Sequence, residues 1–150
     1  MDVQAIAQAI AARFAPAAVT PPSGLQNIRL ATEDLPQVLN MTPAVLVFPP
    51  DESFSYTPGS RQSAQDWPVR FYLANTSGLG RAVTDLYRWR SVLIGQILPQ
   101  SQLGQSGSGG VAYAVMAGAR IGRLIYEGVE FEGVDMVVRV RLAEAISPVA

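Results

Sequence analysis

Two parts of the chain carry apolar residues at helical spacing. The first contains, at intervals of three or four residues, Val3, Ile6, Ile10 and Phe14. Asp2 precedes this run as a candidate N-cap, and Pro16 ends it. The second extends over residues 78–97 and contains Leu79, Val83, Leu86, Leu93 and Ile97, with either Trp89 or Arg90 completing the apolar stripe. Both patterns predict amphipathic α-helices that bury one face.

Short apolar or alternating runs predict the first strands of a sheet. We expect a short edge strand at residues 27–31 and a buried strand at residues 44–48. Residues 67–76 show the clearest alternation in this half of the chain, with three apolar residues on one face and Arg70 and Tyr72 on the other. This pattern indicates a strand with one face in the core and one more polar face.

The last third of the chain has the pattern of β-structure. Runs at residues 111–117 and 123–126 are separated by Gly118 and Gly122, and a final strand is expected at residues 134–145. The order of elements predicts an α+β fold in a single domain of residues 1–150. We expect a mixed or antiparallel sheet, two main helices packed on one face, and a long extended hairpin loop.

A polar segment of unusual length separates two of the predicted strands. Residues 49–66 contain two adjacent prolines, an Asp-Glu pair, a Pro-Gly dipeptide and a tract of Ser, Gln and Arg. Structureless loops beyond about 12–15 residues are uncommon unless they are functional. Within the segment, SFSYT at residues 53–57 alternates polar and aromatic residues and is able to extend a strand beyond the sheet. We expect residues 50–66 to contribute little to the fold of the monomer and to serve contacts with other proteins.

The composition removes most of the usual catalytic side chains. The chain has no Cys and no His, and all eleven of its basic residues are Arg. Disulfides, thiolate nucleophiles, histidine bases and Schiff-base lysines are therefore excluded. We expect a protein that is not an enzyme and has no catalytic, cofactor-binding or metal-binding residues. A small enzyme that uses carboxylates alone, such as Asp51 and Glu52, stays open as an alternative.

The charge pattern gives no sign of a nucleic-acid or membrane partner. Eleven basic residues face twelve acidic ones, for a formal charge of −1, and no basic patch is visible along the chain. The first residues lack the basic start of a signal peptide, and no apolar run approaches the 18 or so residues of a membrane span. We expect a soluble, cytoplasmic protein.

Two polar motifs admit a binding role but fit a simpler explanation better. GQSGSGG at residues 104–110 resembles a phosphate loop, yet it follows a helix and is typical of a flexible linker. A group of four acids (Glu127, Glu130, Glu132 and Asp135) offers oxygen ligands for a hard cation, but its spacing is typical of a solvated turn.

Contacts with partners are expected at the polar segment and on the outer face of the strands beside it. Tyr, Trp and Arg are enriched at the energetic centres of interfaces, and Arg binds carboxylates through two parallel hydrogen bonds. Tyr56 and Trp67 flank the polar segment, and Trp89 is instead expected in the core. The candidate contact residues are Asp51, Glu52, Tyr56, Arg61, Trp67, Arg70, Arg139 and Arg141.

Most of the chain resembles the tail terminator proteins of long-tailed phages, the minor tail protein U-like or tail completion family. The resemblance lies in the leading amphipathic helix, in AVLVFPP running into an extended segment, and in WPVRFYLA returning from it. It continues through the helix RAVTDLYRWRSVLIGQI and the closing pattern GRLIYEGVEFEGVDMVVRVRL.

The resemblance implies a structural protein of the virion. Tail terminators form homohexameric rings that cap the finished tail tube, stop its polymerisation and join the tail to the head connector. The implied partners are other copies of this chain, the tail tube protein and a head–tail connector protein. No cofactor, membrane or sequence-specific nucleic acid is implied, and DNA is able to pass through the ring. A head-completion or neck adaptor protein on the portal side stays open as the alternative.

Overall fold

A computed structural model describes residues 3–75, 79–97, 103 and 111–145 of the chain. These residues form two helices, α1 (Val3–Arg13) and α2 (Leu79–Gly95). They also form six strands: β1 (Leu30–Thr32), β2 (Ala44–Val47), β3 (Asp51–Thr57), β4 (Ser60–Asn75), β5 (Val111–Tyr126) and β6 (Val129–Ala145). The expected cap at Asp2 and the Gly-rich tract at 104–110 lie outside the described residues.

The six strands belong to one mixed sheet with the order β1-β2-β4-β6-β5, and β3 pairs with β4 beside this path. Strands β1 and β2 are parallel, whereas the remaining pairs are antiparallel. The predicted α+β class with a mixed sheet is therefore confirmed.

The main hydrophobic core joins both helices to one set of sheet residues. Its members include Ile6, Ile10, Leu86, Trp89 and Leu93 from the helices and Val69, Phe71, Val138 and Val140 from the strands. Phe71 and Trp89 contact each other with ring centroids 4.9 Å apart. Such a pair adds about 0.5–1.5 kcal/mol to the free energy gained by burying the two rings. Trp89, not Arg90, thus completes the apolar stripe of α2, while Val83 of the same predicted stripe is exposed.

A second, smaller core covers the other face at one end of the sheet. Tyr72 packs edge-on against Tyr126 and Phe131, with centroid distances of 5.8 and 5.4 Å. Strand β2 lies between the two cores, since Val45 and Val47 belong to the first and Ala44 and Leu46 to the second. All four residues of β2 are buried for this reason.

Strand β5 is continuous where the sequence predicted two runs separated by glycines. Gly118 follows a register shift against β6, and Gly122 lies directly opposite Gly133. A β-strand tolerates glycine at a bulge or where another backbone approaches, so these residues mark irregularities rather than breaks. The turn between β5 and β6 is formed by Glu127 and Gly128, whose φ angles are 48° and 78°. Two positive φ angles are the requirement of a type I′ turn, which suits a two-residue hairpin.

The expectation of a long loop is wrong for residues 51–66, which form paired strands, whereas the expectation that residues 53–57 extend a strand beyond the sheet is confirmed. Strand β3 pairs with β4 from Asp51↔Asp66 to Thr57↔Ser60. The outer half of β4 also pairs with β6, from Ser60↔Ala145 to Asp66↔Arg139. Backbone hydrogen bonds from two neighbours hold this part of β4 whatever the polarity of its side chains. The sequence pattern failed for residues 60–66 because it equated a strand with an apolar face.

Candidate assembly surface

The polar segment forms a two-stranded extension of the sheet, which we call the hairpin arm (residues 51–66). Its two-residue turn consists of Pro58 and Gly59, and Gly59 has a φ of 79°. Proline at the first turn position followed by a residue of positive φ is the combination of a type II turn. The seven residues of β3 are all exposed. Since a strand rises by about 3.3 Å per residue, β3 alone spans about 20 Å.

Strands β2 and β3 follow the same edge of β4, and two prolines interrupt them. Val47 pairs with Val69 and Asp51 with Asp66. The chain thus advances four residues from β2 to β3 while β4 advances three. The backbone N–H of Phe48 still donates to the carbonyl of Pro68 at 2.9 Å. Pro49 and Pro50 lack the N–H needed to continue the ladder, and such positions are confined to sheet edges and bulges. The arm is therefore an edge element.

On the helix side, the arm presents an aromatic tip. Residues directly opposite each other in an antiparallel pair lie on the same face, and Arg61 is opposite Tyr56. The Arg61 guanidinium lies over the Phe54 ring, 5.4 Å from its centroid. Phe54 is 50% exposed and Tyr56 66% exposed. We call Phe54, Tyr56 and Arg61 the arm tip; two of these three residues were candidates from the sequence, and Phe54 was missed.

Nearer the body of the molecule, the same face of the arm is buried and hydrogen-bonded. The Trp67 indole N–H donates to Gln65 Oε1 at 3.0 Å, and the Gln65 amide donates to the carboxylate of Glu52. Trp67 is only 2% exposed and belongs to the main core. Most of the Trp67 ring is thus covered within the chain, and what remains accessible lines a pocket beside the root of the arm, so Trp67 is not the exposed anchor that the sequence suggested. Glu52 is exposed but is held by this chain of hydrogen bonds.

On the opposite face, charged side chains form a ladder across the strands. Asp51, Asp66 and Arg139 lie side by side on β3, β4 and β6. Arg139 donates from Nε and Nη2 to the two carboxylate oxygens of Asp66, at 2.8 and 3.2 Å. Arg141 lies over the Tyr113 ring, 5.8 Å from its centroid. A depression of about 330 Å³ is lined by Asp51, Asp66, Arg139 and Arg141 among others.

The Asp66–Arg139 pair shifts the acid–base equilibrium of its carboxyl group. The hydrogen bond from Arg139 holds the pKa of Asp66 below its ordinary value, and the positive charges of Arg139 and Arg141 act in the same direction.

Arg70 lies farther along β4. It pairs with Asp135 at 3.5 Å and lies over the Phe48 ring at 4.8 Å. Three of the four candidate arginines (Arg70, Arg139 and Arg141) thus share the ladder face, and Arg61 is on the helix side.

The acidic group near the β5–β6 turn does not converge on one point. Glu132 is buried and pairs with Arg123 at 3.4 Å, whereas Asp135 pairs with Arg70. Glu127 and Glu130 are exposed. Within the described part of the chain, no three acidic side chains are grouped so that they could hold a metal ion.

A pocket that the sequence did not indicate lies beside the root of the arm. It has a volume of about 530 Å³ and lies between the start of α1, the segment after β1 and the two prolines. We call it the α1 pocket. Its lining includes Val3, Glu33, Asp34, Leu35, Phe48 and Trp67. Residues from four separate parts of the chain meet here, so no local sequence pattern could have predicted the pocket.

The chain matches no protein-family model, and a search of curated proteins gives no significant match. Over the residues that the structure describes, no helix has both the length and the apolar character needed to cross a membrane.

Proposed function

We propose that this chain is a ring-forming tail terminator of a long-tailed phage, a structural protein that acts by binding rather than by catalysis. The observation that supports this proposal best is the hairpin arm. Strand β3 is exposed over all seven residues and carries two aromatic rings that are at least half exposed. Open strand edges and exposed aromatic surface favour association with another protein. Contact with a partner would cover both the strand edge and the rings.

Two of the strands that leave an edge uncovered, β3 and β5, are unlike each other, which favours a ring. Among the described residues, β3 pairs only with β4 and β5 only with β6, so each leaves one edge uncovered. Strand β3 is short, polar and acidic at its start, whereas β5 has sixteen residues and carries Arg120 and Arg123 but no acidic residue. Contacts between unlike surfaces are head-to-tail, and repeated head-to-tail contacts either close into a ring or grow into a filament. A tail terminator stops the growth of the tube, so its own contacts must close into a ring.

The proposed partners are other copies of this chain, the tail tube protein and the head–tail connector. In this proposal both helices cover one face of the sheet, and the arm extends from it toward a neighbour or the tube. DNA passes through the centre of the ring without being read. The place of action is the neck of the virion.

The test adds purified protein to growing tail tubes and images the products by electron microscopy. We expect a ring on one end of each tube and tubes that stop elongating. Tubes that continue to grow and carry no ring would contradict the proposal. Binding to portal-bearing heads in place of tubes would identify a head-completion or neck adaptor instead.

A further inference from the structure

The α1 pocket combines an apolar floor with an acidic rim. Val47 and Trp67 form part of the floor, and the rim residues Val3 and Leu35 are 43% and 38% exposed. Glu33 and Asp34 lie on the rim, and among the described residues none that lines the pocket is basic. The volume of about 530 Å³ lies in the range of sites that bury compact, mostly apolar groups. An occupant should therefore offer aromatic or aliphatic surface together with positive charge.

The arm tip has this chemistry. Phe54 and Tyr56 provide exposed aromatic surface, and Arg61 lies over the Phe54 ring on the same face. Arg61 is also the only charged residue between positions 53 and 65. An Arg beside aromatic rings can pair with a carboxylate while the rings fill an apolar space. Glu144 of β6 is the register partner of Arg61 within the chain, and Arg61 and the rim acids Glu33 and Asp34 carry opposite charges.

The arm cannot fill the pocket of its own chain. Pro50 lines the pocket and immediately precedes β3, which then runs outward in extended conformation. Tyr56 lies six residues further on, which corresponds to about 20 Å along the strand. Pairing with β4 over seven residue pairs keeps β3 from folding back. Only the pocket of a different molecule is therefore within reach of the tip.

We propose that the arm tip of one copy docks into the α1 pocket of the next copy, with Phe54 and Tyr56 on the apolar floor and Arg61 facing Glu33 and Asp34. This inference rests on the proposed function, because it names the contact that would repeat around the ring. The donor and acceptor surfaces differ, so each copy uses both and the contact propagates head-to-tail.

Site-directed crosslinking tests this contact directly, because the chain has no Cys of its own. One batch of protein carries Tyr56→Cys and a second carries Leu35→Cys; the two are mixed at high concentration and oxidised. In this mixture we expect a disulfide-linked dimer made of one copy of each variant. The control mixture replaces Tyr56→Cys with Tyr87→Cys, an equally exposed tyrosine at 64% on α2, and should give at least about tenfold less of this dimer.

Charge reversal tests the pairing of Arg61 with the acidic rim. Arg61→Glu alone, and Glu33→Arg with Asp34→Arg alone, should each lower assembly about tenfold, since like charges then face each other. In a ring where the two variants alternate, every contact joins opposite charges, and a chain that carries all three changes also restores every contact. We expect the triple variant to assemble within about threefold of the unchanged protein. Melting temperatures of all variants show whether each one is folded.

The outcomes separate this inference from the proposed function. Rings that form normally but give equal crosslinking at Tyr56 and Tyr87, and no rescue by the triple variant, would overturn the docking contact and leave the terminator proposal intact. Monomers at every concentration, with and without tail tubes, would overturn both. Crosslinking of Tyr56→Cys to the tube protein instead would assign the arm tip to the tube and refute the contact between copies.

Discussion

At the scale of single residues, Gly133 is a position where packing leaves no room for a side chain. A Cβ added to it would lie 2.0 Å from the Phe71 carbonyl oxygen and 2.9 Å from Leu124 Cδ1. Since the oxygen belongs to the backbone of β4, only a shift of the strands could relieve the overlap. We predict that Gly133→Ala lowers the free energy of unfolding by about 1–3 kcal/mol or more.

The matched control for this prediction is Gly122→Ala. Gly122 lies directly opposite Gly133, and a Cβ added to it has no atom within 4 Å. This variant should be neutral or slightly more stable, by up to about 1 kcal/mol, because alanine restricts the unfolded chain. Urea unfolding of both variants provides the measurement, and equal midpoints would refute the role of close packing at Gly133.

Also at the residue scale, we predict that the pairing of Asp66 with Arg139 makes the stability of the protein depend on pH. Its pKa is lowered in the folded protein by the hydrogen bond from Arg139, so the unfolded chain takes up the proton first as the pH falls. The contribution of Asp66 is fully present above its ordinary value of 3.8 and is lost as the pH falls through the folded value. Asp66→Asn should therefore be less stable than the unchanged protein at neutral pH, and the difference should shrink in acid.

Melting temperatures measured from neutral pH down to about pH 2 would test this prediction. Arg139→Gln removes the other partner and should show the same shrinking difference. A gap between Asp66→Asn and the unchanged protein that stays constant over the whole range would contradict the role of the pair.

At the scale of elements, the hairpin arm contributes more to the fold than its polar sequence indicates. Replacing residues 52–65 with a short Asn-Gly turn removes the part of β4 that pairs with β6 from Ser60↔Ala145 to Gln65↔Val140. It also removes Ser63 and Gln65, which are buried. We predict that this variant melts well below the unchanged protein, contrary to the expectation from sequence that the segment matters little for stability.

A second variant, to be compared with the shortened arm, changes the arm tip without removing a strand. Phe54→Ser combined with Tyr56→Ser keeps the backbone ladder, and both side chains are at least half exposed. Stability should stay within about 0.5 kcal/mol, as for other exposed positions. Assembly should fall, whereas Tyr87→Ser on α2 should leave both properties unchanged. Normal assembly of the double variant would show that the tip is not an interface.

At the scale of the whole molecule, the unlike edges of the sheet predict a closed assembly. Six copies of the 16.0 kDa chain have a mass of about 96 kDa, which mass photometry can distinguish from smaller species. We predict this species on tail tubes or in concentrated protein, with monomers in dilute solution. A closed dimer as the largest species, even beside tail tubes, would contradict a head-to-tail ring.

Those elements whose pattern of burial is local were predictable from consecutive residues. The periodicity of α1 and α2 and the alternation around Val69 and Val138 reflect the burial of one face of each element, and that requirement is written in consecutive residues. The α+β class followed from the order of these elements. The accessibility of Tyr56 was also predictable, because it lies in a polar tract.

The tertiary structure alone decided which strands are neighbours and which side chains meet. The outer half of β4 is a strand because β3 and β6 flank it, and Trp67 is buried because Gln65 and the core cover it. The α1 pocket brings together Val3, Asp34 and Phe48, which are far apart in the chain. Backbone pairing and pocket shape depend on long-range contacts, and these are set by the packing of the whole sheet rather than by any local pattern of polarity.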